Sequence, residues 1–377
     1  MVLSPLRIGF RPATGLRKRR RTTACCRILP GFWLCCRAYA AMAIMMGLLP
    51  PSYATSPRSA ASDPRDQEFE LHLDPHQVVG VQACTQCHAA EVQVWKQTPH
   101  AQTFDLLHRQ PEARQIAARL GIQEFRRDSA CTQCHYTMRT EADGSLVAIA
   151  GVSCESCHGA AKQWLPIHHD YGDPTISREE ESDVHRQQRL QKSIAAGMRN
   201  PVNAYLLASS CYRCHTVPDE RLVNVGQHRP GSLDFELVSW SQGTLRHNFL
   251  HGNGMSNPVS SPERRRLLFV AGFIADLEFS LRATAKATEA TTFAIVSAHR
   301  ANRAARRLRA IAAATQNQQI EQVVALFDQA DLSLGNSQGL VEAADAIHEL
   351  GVRFAAETDP LTLQSLDPYV PEPSTWK

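Results

Sequence analysis

The 377-residue chain has no cysteine to spare. Of its 12 cysteines, Cys25, Cys26, Cys35 and Cys36 fall within the first 54 residues, and the other eight belong to four copies of one short motif. A mature chain without the N-terminal segment therefore has no thiol left for a structural disulfide, and cross-links are excluded as its source of stability. Long apolar runs are also missing. The stretch from Ala38 to Leu49 is shorter than the roughly 20 residues that cross a bilayer, so a removable signal is expected rather than a membrane anchor. Alternating β-branched runs are few, which argues against an extensive sheet. Nor is there a basic excess after residue 54. The first 54 residues hold nine Lys and Arg and no acid, so the formal charge of +3 for the whole chain becomes −6, with 31 basic against 37 acidic side chains. Such a balance offers no footprint for nucleic acid and favours basic docking partners.

What is present is a fourfold Cys-x-x-Cys-His: Cys84 to Cys87 with His88, Cys131 to Cys134 with His135, Cys154 to Cys157 with His158, and Cys211 to Cys214 with His215. This is the attachment sequence of a c-type haem, in which two thiols bond the porphyrin vinyl groups and the adjacent imidazole binds the iron. A zinc site would not need a His fixed after every second Cys. Four covalently attached haem c groups are expected, and a variant motif ending in Lys is absent.

These features divide the chain. Residues 1–54 read as a Sec-type export signal, with a basic stretch from Arg7 to Arg27, the apolar run, and small residues at Ser52 and Ala54 before the expected cleavage. A periplasmic location follows, with a membrane-anchored form as the alternative. Residues 55–80 read as a linker or ordered arm. Residues 81–282 are expected to be mainly α, a multihaem cytochrome c of short helices and loops wrapped around four haems. Porphyrin faces then replace much of the aliphatic core. The short offset between Cys131 and Cys154 suggests that the second and third haems are neighbours. Residues 283–358 carry helical apolar faces (Ile320, Val323, Val324, Phe327; Leu340, Ala344, Ile347, Phe354) and read as a helical hairpin or small bundle, turned at Asp331 to Asn336. Residues 359–377 read as an extended, proline-containing tail.

Four of the 16 histidines are proximal ligands, and the distal ones must come from the rest. His100 closes Trp95-Lys96-Gln97-Thr98-Pro99-His100. Continuous helix would put it ~18 Å from His88, so it should serve a different iron. Either His168 or His169 follows the third motif as a candidate, the other contacting a propionate or water. His228 and His247 follow the fourth motif in polar, loop-like surroundings. This supply favours bis-His ligation and low potentials over His/Met ligation.

The motif at Cys84 followed by Trp95 to His100, and Gly151-Val152-Ser153-Cys154-Glu155-Ser156-Cys157-His158-Gly159, resemble the cytochrome c-554 family of tetrahaem cytochromes. The resemblance covers roughly residues 80–220. It implies closely stacked haem pairs, bis-His ligation at most irons and, in some members, one five-coordinate haem, here the one on Cys131, Cys134 and His135. The best-known members accept electrons from hydroxylamine oxidoreductase. Residues 235–249 and the helices after Arg282 depart from the family pattern. The leading expectation is an electron carrier between periplasmic or membrane-bound redox proteins, needing no catalytic residue and no small-molecule substrate. The alternative is an oxidoreductase acting on a small nitrogen or sulfur compound at one five-coordinate haem.

Overall fold

The computed structural model describes residues 73–377, which lie in one compact unit. The expected signal at 1–54 and residues 55–72 of the expected arm lie outside the described residues. The described chain is mainly α. Its first half contains α1 (Val81–Thr85), α2 (Ala89–Lys96), α3 (Pro99–Leu106), α4 (Pro111–Leu120) and α5 (Ser129–His135), then a hairpin of β1 (Thr137–Thr140) and β2 (Leu146–Ala150). There follow α6 (Cys154–His158), α7 (Asp183–Ala195), α8 (Ala204–His215), α9 (Glu220–Asn224) and α10 (Leu237–Ser241). Long helices close the chain: α11 (Pro262–Ala285), α12 (Thr292–Thr315), α13 (Gln318–Gln329) and α14 (Ser337–Glu357). Among the described residues, no helix is long and apolar enough to cross a membrane.

The motif helices are short because each has a built-in start. The Asp128 side chain accepts from Ala130 N ahead of α5, Ser153 and Ser156 form a reciprocal capping box on α6, and Asn203 accepts from Tyr205 N and Leu206 N on α8. Such caps contribute about 1 kcal/mol each. Helix α1 starts after Gly80, whose φ of 95° is open to glycine. The helix expected to run unbroken to His100 instead divides at Thr98. Pro99 lacks an N–H and pushes Thr98 to an extended ψ of 153°, and Thr98 then caps α3 through Ala101 N. The hairpin was not expected from the scarcity of alternating runs. Its signal was the Asp143-Gly144 pair ahead of the apolar stretch Leu146–Ala150, with Gly144 at φ 82° in the turn.

Few apolar side chains are buried before residue 204, among them Val78, Val92, Leu120, Ile122 and Trp164, whereas a large core fills the C-terminal half. Helix α11 is at its centre, apolar nearly all round as a surrounded helix must be, and packs on α8, α12 and α14. The faces containing Ile320, Val323 and Phe327, and Leu340, Ala344, Ile347 and Phe354, are buried there. The boundary expected at Arg282 falls inside α11, and the residues on either side share one core. The tail also differs from an extended strand. Pro360–Tyr369 winds into a 3-10 helix that buries Leu363 and Leu366, and Asp367 receives Arg266 Nε and Nη2 at 2.6 and 2.8 Å. Pro360 fits because its missing N–H is tolerated at the first turn, and proline's φ suits a tight helix at Pro368 as well.

Candidate haem-binding site

On a helix, residues i, i+3 and i+4 share one face, so each motif presents two thiols and one imidazole to the same side of α1–α2, α5, α6 or α8. Helix α8 shows the division. Cys211, Cys214 and His215 form the face toward the site, while Tyr205, Ala208 and Tyr212 enter the C-terminal core beside them. Two glycines flanking the third motif are fixed by close approach. A Cβ on Gly151 would stand 2.5 Å from His100 O, and one on Gly159, at φ 90°, would strike Gly197 O. Val152 N donates to His100 O at 3.0 Å and Trp95 Nε1 to Val152 O at 2.8 Å, so the first and third motif regions are bolted together.

Three proximal imidazoles each face a second imidazole. His88 and His168 have ring centroids 6.4 Å apart, His100 and His215 6.2 Å, and His158 and His247 6.2 Å. Two metal–nitrogen bonds of roughly 2 Å plus two ring radii of roughly 1.1 Å make about 6.2 Å. That spacing therefore fits one six-coordinate iron between each pair. The remaining proximal residue, His135, has no such ring contact among the described residues. His228 is the imidazole whose charge bears on it most, followed by His100. All 17 expected haem-site residues lie within the described chain.

The tautomers also fit. Nδ1 of His168, His228 and His247 lies 2.6, 2.7 and 2.6 Å from the carbonyl oxygens of Leu165, Arg229 and Leu245. A ring nitrogen donating to a carbonyl carries the proton, which leaves Nε2 as the metal-binding atom. Burial holds His135, His158 and His215 at a pKa of about 4, and it also lowers His100 and His168. These imidazoles are neutral near pH 7, the form that binds metal. Phe235 stacks on His215 at 4.1 Å and Trp164 meets His168 edge-on at 5.2 Å, fixing ring positions. Between His168 and His169 the structure chooses the first. His169 is exposed and bonds Leu165 O at 2.8 Å, and it faces no proximal ring.

Thiol neighbours define how the motifs are grouped. The Cys84 and Cys154 thiols are neighbours that shift each other's pKa, and so are those of Cys134 and Cys214. The first motif therefore adjoins the third and the second adjoins the fourth, while the second also meets the third where Thr137 Oγ1 lies 3.0 Å from Ser156 Oγ. The hairpin between Cys134 and Cys154 pairs Thr137 with Ala150 and so returns the start of the third motif to the end of the second. The third and fourth motifs also meet, through Ser210 Oγ donating to Cys157 O at 2.6 Å.

Charged residues beside the motifs escaped the sequence reading, although Glu155 and Arg213 sit inside the motifs themselves. Glu155 is 1% exposed, and its carboxylate accepts from Val79 N, Gly80 N and Ala161 N at 3.0, 2.7 and 2.8 Å. Residues 79–80 of the expected arm are thus docked on the third motif. Arg199 and Arg213 both donate to Ser156 O, at 3.1 and 3.3 Å. Arg300, from α12, pairs with Asp276 and donates to His215 O at 3.3 Å and Ser232 O at 2.9 Å.

The family described as cytochrome c554 and c-prime matches residues 83–159. Cytochrome c-554 of Nitrosomonas europaea is 31% identical over 100 residues, covering 25% of this chain and 43% of that protein. The match thus spans less than half the length of that relative. No solved structure matches the chain.

Proposed function

We propose that the chain is a periplasmic tetrahaem electron carrier of the c type, a reading supported by the similarity of residues 83–159 to the cytochrome c554 and c-prime family. In this reading, haem is held by Cys84 and Cys87, Cys131 and Cys134, Cys154 and Cys157, and Cys211 and Cys214. His88, His135, His158 and His215 are the proximal ligands. His168, His247 and His100 cap the first, third and fourth irons, and His228 is the candidate for the second. The observation that carries the proposal is the set of facing imidazoles at 6.2 to 6.4 Å.

Bound haem would supply one-electron iron couples near enough to exchange electrons. The chain's residues do the rest. Leu165, Arg229 and Leu245 orient the distal rings through their carbonyls, Phe235 and Trp164 fix ring planes, and the capped helices hold thiols and imidazoles on one face. Bis-His ligation keeps small molecules off an iron, so a carrier needs no substrate pocket. The partners would be periplasmic or membrane-bound redox proteins with basic docking patches, matched to an acidic mature chain.

A second reading rests on His135, which has no facing ring among the described residues. There the second iron would keep an open position and act on a small nitrogen or sulfur compound. Mass spectrometry of the exported protein and electron paramagnetic resonance test both readings. The carrier reading expects four added haems and low-spin signals throughout. Fewer than four haems, or free thiols at the motif sulfurs, would overturn it. A high-spin signal from one haem in four, lost on adding nitric oxide and absent in Cys131→Ala/Cys134→Ala, would instead establish the open site.

A further inference from the structure

Buried charge is distributed unequally over the motifs. At the junction of the first and third motifs lies a carboxylate: Glu155 stands between them, its oxygens held by the N–H groups of residues 79, 80 and 161. Where the second, third and fourth motifs meet, the buried charges are guanidinium groups. Arg213 lies within the fourth motif and Arg199 in the segment before α8, and both converge on the Ser156 carbonyl of the third motif. Arg213 Nε is sealed from solvent and has no hydrogen-bond partner among the described residues. The sulfurs of Cys214, Cys134, Cys157 and Cys211, from three motifs, are the groups whose charge would favour that of Arg213. Once those sulfurs are thioethers they are neutral, while a guanidinium remains charged at any ordinary pH. The cation would then act directly on the cofactors around it.

A charge buried in a low-dielectric interior is felt far more strongly than one in water. A nearby anion disfavours adding an electron to an iron, and a nearby cation favours it. We infer that Glu155 and the Arg199–Arg213 pair set a direction for the chain, lowering the potential at the first motif and raising it where the second, third and fourth motifs meet, so that electrons run inward from Cys84 and Cys87. The inference rests on the four-haem reading above. Each transfer oxidises an Fe(II) at the first site and reduces an Fe(III) at the next, with no bond made or proton moved, and a reduced redox protein supplies the electron. The other charged groups near the fourth motif do not cancel this pattern: Arg300 is matched by Asp276, and Asp219 by Lys286, which also acts on Cys134.

Spectroelectrochemical titration of the haem-loaded full chain tests the inference, with haem count measured first, so that failure of the four-haem reading is seen separately. His168→Met marks the wave of the first haem by raising it. With the wild-type chain as reference, Arg213→Gln should lower at least one other wave by a tenfold change in its reduced-to-oxidised ratio, about 59 mV for one electron. It should leave the marked wave in place, and Arg213→Lys should keep the wild-type values. Glu155→Gln should move the marked wave the opposite way. Unchanged waves in Arg213→Gln, or shifts of reversed sign, would overturn the inference. Should a variant fail to load haem, the wild-type chain carrying isotope-labelled arginine gives a second measurement by redox-difference infrared spectroscopy. A guanidinium band that follows oxidation of the inner haems supports the inference, and its absence overturns it.

Discussion

Replacing Arg300 by Met should be among the most damaging single changes outside the motifs. The residue is 2% exposed, its ion-pair partner Asp276 lies on the neighbouring α11, and its Nη1 serves the carbonyls of His215 and Ser232. Leaving a buried carboxylate without its partner costs about 3–5 kcal/mol, and each carbonyl losing a donor adds about 1 kcal/mol. A total near 5–7 kcal/mol is comparable with the whole stability of many domains, about 5–15 kcal/mol. Burial raises Asp276 above its ordinary 3.8, and Arg300 opposes that rise. A carboxyl whose folded-state pKa is raised contributes most below 3.8, and that contribution is lost as pH climbs through the folded value. Without Arg300 the folded value rises further, so Arg300→Met should be weakest near neutral pH and recover toward acid. Adding Asp276→Asn should restore most of the loss, because the unpaired charge is then gone. The assay is the urea midpoint by circular dichroism, at pH 7 and pH 5, for both single variants and the double. A loss below about 1 kcal/mol in Arg300→Met, or a double variant no better than the single, would refute the reasoning.

Two further changes probe other elements. Glu181 is held at a pKa of about 2, against an ordinary 4.5, chiefly by the Arg189 guanidinium, which also donates to His168 O at 2.7 Å. A depressed carboxyl contributes stability above 4.5 that is lost as pH falls toward 2, so the His88–His168 haem should lose its low-spin spectrum over that acid window. In Glu181→Gln the acid dependence should flatten, and an unchanged acid transition would exclude this pair as its cause. Gly351 faces the Tyr205 ring so closely that a Cβ would collide with it. Gly351→Ala should lower the free energy of unfolding by about 1–3 kcal/mol, read from the urea midpoint, and Tyr205→Leu in that background should recover part of it. A neutral Gly351→Ala would show the contact to be slack.

Much of the site was legible because its chemistry is local in sequence. Cys-x-x-Cys-His sets two thiols and an imidazole on one helical face with no help from tertiary structure, so those twelve residues could be placed without coordinates. Distal ligands are non-local, and only their supply could be counted. His100 was correctly separated from His88, but through a continuous helix that Pro99 does not permit. The decision between His168 and His169 depended on which ring faced His88, a fact set by α7 and Arg189. Grouping of the motifs was only partly legible for a related reason. A short offset suggests that the second and third motifs are close, but nothing local in sequence shows that the first adjoins the third and the second the fourth.

The same limit explains why the C-terminal helices looked like an addition. Their composition differs from the motif region, and they contain no cysteine, so a sequence boundary near Arg282 was natural. Packing erases it. Helix α8 carries the fourth motif on one face and core residues Tyr205, Ala208 and Tyr212 on the adjacent one. Arg300 reaches from α12 to the carbonyl of His215, and Lys377 N donates to Ser239 O while its carbonyl accepts from Thr244 N. That last pair ties the end of the described chain to the segment leading to His247. The apolar core formed by α11 to α14 therefore supports the proximal ligand of the fourth motif and the distal candidate of the third. Motif-rich segments with few buried aliphatics would be poorly ordered alone, and these helices supply a rigid wall against which two of the four sites are built.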